Sequence, residues 1–167
     1  MANFEAALEY VLKNEGGFVN DPADPGGATN MGITFGVAQK HGITSVDALK
    51  SMTKAKAGEI YRKDYWHFND IADQRLATKL FDIAVNMGHL PAVELLQCVL
   101  NVCGEDLPVD GIFGAKTLAA ANACKADDML MGLSFALAGD YRRIAQSRPA
   151  SKKFLKGWLK RAGKVPK

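Results

Sequence analysis

Three carboxylates stand close together near the start of the chain: Glu15, then Asp21 and Asp24, six and nine residues further on. Glu15 closes the apolar spacing Phe4, Ala7, Leu8, Val11, Leu12, which predicts an amphipathic helix over about residues 3–15 with Gly16-Gly17 as its stop. An acid in the last turn faces the negative end of the helix dipole, at a cost of ~0.3–1 kcal/mol, where Lys or Arg is usual. Breaking that local rule suits a general acid, which must keep a proton near neutral pH. Two carboxyls across a cleft are the equipment of glycoside hydrolysis: one protonates the leaving oxygen, the other handles water or the cationic transition state. The local alternative for the aspartates is that Asp21-Pro22 and Asp24-Pro25 form Asx turns. Thr29 and Thr34 flank Gly32-Ile33, where their hydroxyls either position a water or brace the loop.

The elements that must position these groups are mainly helical. Residues 18–34 contain Asn20, Pro22, Pro25, Gly26, Gly27, Asn30 and Gly32, too many breakers for a regular element. A long shaped loop or a short irregular hairpin is expected there, and such loops are usually functional. Helices are predicted over 35–41, from the N-cap Ser45, and from Thr53 with Ala57, Ile60 and Tyr61 on one face. Others follow over 76–87 (stopped by Gly88), 91–102, 115–123, 129–145 and 152–161. Period-2 patterns are nearly absent, so the expected class is all-α. Tyr65 and Trp66 could offer flat faces to sugar rings, whereas the spacing of Tyr61 fits core packing. Asp82 and Asn86 lie one turn apart in an apolar run, so they either brace the catalytic loop or line the cleft.

Composition narrows the classes. With 48% hydrophobic and 23% charged residues in 167, the chain is neither disordered nor a disulfide scaffold. No apolar stretch approaches the ~20 residues of a membrane helix. Glu5 and Glu9 stand where a secretory leader would be apolar, so none is expected. The three cysteines, Cys98, Cys103 and Cys124, read as buried free thiols. Scattered His41, His67 and His89 make no zinc motif, and no metal or organic cofactor is expected. The net charge of +3 conceals an asymmetry: residues 141–167 hold ten Lys and Arg and no acid, leaving 11 bases against 18 acids in 1–140. Phe154, Leu155, Trp158 and Leu159 form one stripe among Lys152, Lys153, Lys156, Lys160 and Arg161. That stripe is expected to dock on the body with its bases in solvent, the alternative being contact with anionic membrane or wall polymer. No nucleic-acid motif accompanies the charge, and nothing demands more than a monomer.

Several stretches resemble one family. Glu15-Gly16-Gly17-Phe18-Val19-Asn20-Asp21-Pro22, Asp24-Pro25-Gly26-Gly27-Ala28-Thr29 and Met31-Gly32-Ile33-Thr34 look like the signature of glycoside hydrolase family 108. These are muramidases that include phage endolysins and bacterial proteins once labelled secretion activators. The likeness continues through Glu59-Ile60-Tyr61-Arg62 and Tyr65-Trp66 to Phe81-Asp82-Ile83-Ala84-Val85-Asn86-Met87-Gly88. Beyond it, Leu96-Gln97, Leu100-Asn101, the turn Val109-Asp110-Gly111-Ile112-Phe113-Gly114 and Thr117-Leu118-Ala119-Ala120 resemble the small peptidoglycan-binding module usually attached to that family. The resemblance implies a catalytic region over 1–91, a binding region over 92–167 packed on it, and a lysozyme-like helical fold.

It implies cleavage of the β-1,4 bond between N-acetylmuramic acid and N-acetylglucosamine in peptidoglycan glycan strands. Glu15 matches the catalytic acid of the family. Asp24 is preferred to Asp21 as the second carboxylate, because phage-type lysozymes carry an aspartate nine residues after their glutamate. Thr29 follows Asp24 after five residues, one fewer than in those lysozymes, and completes the expected catalytic set. Asp21, Thr34, Tyr65, Trp66 and Asn86 are the expected substrate contacts. Phe18 stands where the family often has Tyr. A chain of this kind without a leader is expected to be made in the cytoplasm and to reach the wall through a holin-like pore or another non-standard route. The rival readings are a lytic transglycosylase and a non-catalytic protein that binds peptidoglycan or assists secretion.

Overall fold

Side-chain caps open most of the helices. The computed structural model describes residues 1–20 and 27–167; Asp21 and Asp24 lie outside the described residues. Helix α1 spans Phe4–Asn14 and is capped by Asn3, whose Oδ1 accepts from the Ala6 N–H at 2.9 Å. A two-stranded hairpin follows, β1 (Thr29–Asn30) against β2 (Ile33–Thr34), with Thr29 opposite Thr34. Thr34, Ser45 and Thr53 then cap α2 (Phe35–Gln39), α3 (Val46–Lys50) and α4 (Lys54–Asp64) in turn. Asp73 caps α5 (Gln74–Met87), which ends at Gly88 and gives way to α6 (His89–Val102). The rest is α7 (Ala115–Ala123), α8 (Ala126–Ser147), a 3₁₀ turn over Pro149–Phe154 and α9 (Leu155–Ala162).

Helix α5 is the axis of the molecule. Leu76, Ala77, Leu80, Phe81, Ile83 and Ala84 are all buried, with α1, α6 and α8 packed around them. Phe81 meets Trp66 at 5.3 Å and Phe4 at 5.9 Å between ring centroids, and Phe4 meets Trp66 at 5.6 Å. One apolar cluster runs from Phe4 through α5 and α6 to Ala162, so the N-terminal and C-terminal regions share a core. A helix buried on all sides must satisfy its polar groups internally. In α5 those groups are Thr78, Lys79 and Asp82, and each is hydrogen-bonded.

Lys79 ties α5 to the end of α9. Its ammonium donates to the carbonyls of Ala162 and Lys164, both at 2.7 Å, closing the negative end of α9. Burial is the main reason its pKa falls, to about 8, with Asp82 opposing and Arg161 adding to the fall. Between pH 8 and the ordinary lysine value the unfolded chain therefore binds a proton that the folded chain does not. The Lys79 contribution to stability therefore rises with pH across that window, and it dominates up to about pH 9, above which the tyrosines with raised pKa values oppose it. Denaturant midpoints measured from pH 7 to 9, below the tyrosine titration, check this, and in Lys79→Met the rise should flatten.

The turn before α7 depends on Gln97 of α6. Its Oε1 accepts from the N–H groups of Asp110 and Gly111, both at 3.0 Å, while its Nε2 donates to Asp110 Oδ1 at 2.8 Å. Gln97→Leu orphans the buried Gly111 N–H, at about 1–3 kcal/mol, and a lowered urea midpoint at unchanged helical circular dichroism is the expected result.

Three expectations need correction. The cysteines are free but not buried: Cys98 and Cys103 are exposed and Cys124 is half-buried. On α6 the inward positions go to Leu95, Leu96, Val99 and Leu100, which leaves Cys98 on the outer face. The last helix starts at Leu155 rather than near 152, because the chain turns first through 3₁₀ geometry at Pro149, where the missing N–H costs nothing. Arg161 does not face solvent with the other bases; it points inward.

Candidate active site

Glu15 sits one residue past the last turn of α1. Its own backbone is extended (φ −85°, ψ 147°), yet its N–H still closes onto the Val11 carbonyl at 3.1 Å. The side chain thus leaves the helix end and turns beneath the hairpin, where only 13% of it remains exposed.

The hairpin is shaped for that approach. Its two central residues, Met31 (φ 48°) and Gly32 (φ 76°), both occupy the left-handed region, as a tight two-residue turn requires. A methyl group on Gly32 would overlap Glu15 Oε2 and come within 2.7 Å of the Tyr61 hydroxyl, so the carboxyl lies directly against the turn. The strained Met31 is held by the Tyr61 hydroxyl, which donates to its carbonyl at 2.6 Å. Asn30 Nδ2 anchors the same turn to α3 through the carbonyls of Leu49 at 2.8 Å and Lys50 at 3.1 Å. Burial, and then the Glu15 charge, push the Tyr61 phenol far above its ordinary value, so it stays a neutral donor.

On its other side Glu15 meets the C-terminal region. Arg161 Nη2 donates to Glu15 Oε1 at 2.7 Å and to Asp82 Oδ1 at 2.9 Å, and Nε donates to Asp82 Oδ2 at 3.2 Å. Asp82 is 1% exposed and also accepts from Asn14 Nδ2 at 3.2 Å. Burial opposes the charge on Arg161, but the two carboxylates beside it hold its pKa above the usual arginine value. The Tyr141 hydroxyl donates to Asn86 Oδ1 at 2.5 Å, its ring stacks on Trp158 at 5.3 Å, and burial pushes its pKa up to about 12. A depression of about 330 Å³ adjoins this corner, lined by Asn14, Asn86, Trp158, Lys160, Arg161 and Lys164.

The expected residues fall into distinct places. Thr34 spends its hydroxyl on the α2 cap, accepting from Val37 N at 3.3 Å. Thr29 stands opposite it in the hairpin, with its backbone paired to Val19. Tyr65 is half-buried, edge-on to Tyr61 at 5.7 Å, and Asn86 is exposed at the depression. Trp66, expected as a sugar platform, is only 9% exposed because its ring packs on Phe4 and Phe81. Among the described residues no cluster of His, Cys, Asp or Glu has the make-up of a metal site. Arg161 was missed as a site residue, since nothing local separates it from nine other bases in 141–167. The one signal was Asp82, a carboxylate in an apolar run that had to find a cation.

The chain as a whole has recognisable counterparts. Residues 8–88 match the family profile described as "Glycosyl hydrolase 108", and residues 91–163 match the "Predicted Peptidoglycan domain". No curated protein sequence matches the chain. Among solved structures it is similar to SagA of Brucella abortus at 36% identity and a TM-score of 0.78, covering 95% of this chain and 88% of that one. The all-α, lysozyme-like class therefore holds. On these matches the chain belongs to the glycosyl hydrolase 108 family and is a peptidoglycan hydrolase.

Proposed function

We propose that the protein is an N-acetylmuramidase that uses Glu15 as its general acid. The supporting observation is the seat of Glu15: a mostly buried carboxyl at a helix end, pressed against the Gly32 turn and gripped by one guanidinium. A carboxyl held in this way is aimed rather than free to rotate, and aim is what proton transfer to a bridging oxygen requires. In the reaction the Glu15 proton passes to the glycosidic oxygen as its bond to the anomeric carbon of the muramic residue breaks. The N-acetylglucosamine hydroxyl leaves, and a water oxygen bonds to the anomeric carbon. The proton released by that water goes to a carboxylate, for which Asp24 is chosen on its spacing from Glu15. The Thr29 hydroxyl is assigned to holding the water, since Thr34 already serves a helix cap. Tyr65 and Asn86 are assigned to sugar contacts, and Asp21 to the rim of the cleft.

The division into a catalytic region (1–91) and a binding region (92–167) fits this reading, with the second region presenting the wall. Exposed Lys152, Lys153, Lys156 and Lys160 are assigned to anionic wall polymer or an anionic membrane surface. Mass spectrometry of digested, purified peptidoglycan tests the proposal. Reducing ends in muramic acid are the expected product. Anhydro-muramic ends would replace it with a transglycosylase, and wall binding without cleavage would reduce it to a binding protein.

A further inference from the structure

Arg161 reaches two carboxylates far from it in sequence, Glu15 and Asp82, and holds them unequally. Asp82 takes the guanidinium of Arg161 through both carboxylate oxygens, whereas Glu15 takes it through one. Asp82 is also the more deeply buried of the two, 1% exposed against 13%. A buried, two-point Arg–carboxylate pair is nearly neutral to its surroundings, while the same guanidinium without Asp82 would present a whole positive charge to Glu15.

We propose that Arg161 and Asp82 act together as positioning residues for Glu15, Arg161 holding its carboxyl in place and Asp82 cancelling the charge that would otherwise strip Glu15 of its proton. The catalytic centre is then completed by α9, a helix of the C-terminal region, and Lys79 serves it by closing the end of that helix. This rests on Glu15 being the acid. Among the described residues, the other titratable groups facing this corner are Tyr10 on α1, Tyr61 on α4, Lys79 on α5, Tyr141 on α8, Lys160 on α9 and Lys164 just past its end. The three tyrosines all have raised pKa values and stay neutral through the working range. Lys79 points away, into the Ala162 and Lys164 carbonyls, and is common to every variant below.

The test is the pH dependence of kcat/KM on purified peptidoglycan for Asp82→Asn, Arg161→Met and the double variant, with thermal melts alongside. Asp82→Asn leaves an unbalanced guanidinium against Glu15, so the alkaline limb is expected to move down by about 1–3 pH units. Arg161→Met removes the cation, so the limb moves up. The double variant carries neither charge: its limb returns to the wild-type position while kcat stays lower, because Glu15 has lost its anchor. A purely structural role for the pair moves no limb, or moves all limbs alike, and either result overturns the proposal. If Asp82→Asn or Arg161→Met does not fold, Arg161→Gln takes its place: it removes the cation but keeps a donor beside Asp82, so its limb is expected to move up, and a limb left at the wild-type position overturns the proposal. Activity retained by Glu15→Gln would strike the reading of Glu15 as the acid instead.

Discussion

Replacing Glu15 by glutamine is expected to slow peptidoglycan cleavage by about 10²–10⁴-fold, the range that a positioned general acid supplies. The amide matches the carboxyl in size, so it fits against Gly32, and its oxygen can still accept from Arg161. What it lacks is a proton to give. The loss should therefore fall on kcat rather than on KM. Fold stability should change little, because Asp82 continues to pair Arg161 through two contacts and no buried charge is left alone. Reducing-end release from purified peptidoglycan, measured beside a thermal melt, separates the two effects. Cleavage within tenfold of wild type would remove Glu15 from the chemistry.

Gly32→Ala is expected to be nearly as damaging to activity for a different reason. The left-handed backbone at φ 76° costs a side chain roughly 1–2 kcal/mol, and the added methyl would occupy the place of Glu15 Oε2. The turn is pinned from below by Tyr61 and from the side by Asn30, so it cannot easily retreat, and the carboxyl must move instead. A displacement on the order of 1 Å is enough for a loss of about 10²-fold. Gly42 provides the control: its φ is 82°, but a methyl there meets nothing within 4 Å. Gly42→Ala should lose comparable stability and keep its activity. If both variants lost activity equally, backbone strain rather than the seat of Glu15 would be the cause.

Local chemistry made much of the fold legible. Ser45 and Thr53 announced α3 and α4, Gly88 announced the end of α5, and the breakers of residues 18–34 announced a shaped loop or a short irregular hairpin, of which the structure shows a hairpin over Thr29–Thr34. Each of these is decided within a few residues, by a hydroxyl that reaches an N–H three positions on or by a glycine that accepts a left-handed φ. The aromatic run was harder. Tyr65 and Trp66 are neighbours with the same local character, yet one lies half-buried beside Tyr61 and the other fills the gap between Phe4 and Phe81. Adjacent residues leave a helix end in different directions, and only the packing of α1 on α5 determines which direction is inside.

By itself the sequence determined the family, the all-α class, the helix that stops just before Glu15 and the glycines that let a carboxyl come close. Those are properties of contiguous residues and of their spacing. Only the tertiary structure decided that Arg161, 146 positions away, would be the group that holds Glu15. Asp82 carried half of that information, as a charge that burial would not tolerate without a partner. The other half was geometric: ten basic residues crowd the last 27, and which of them turns inward depends on where Lys79 ties down the end of α9. Burial creates the demand for a counter-charge, but long-range packing chooses the residue that meets it.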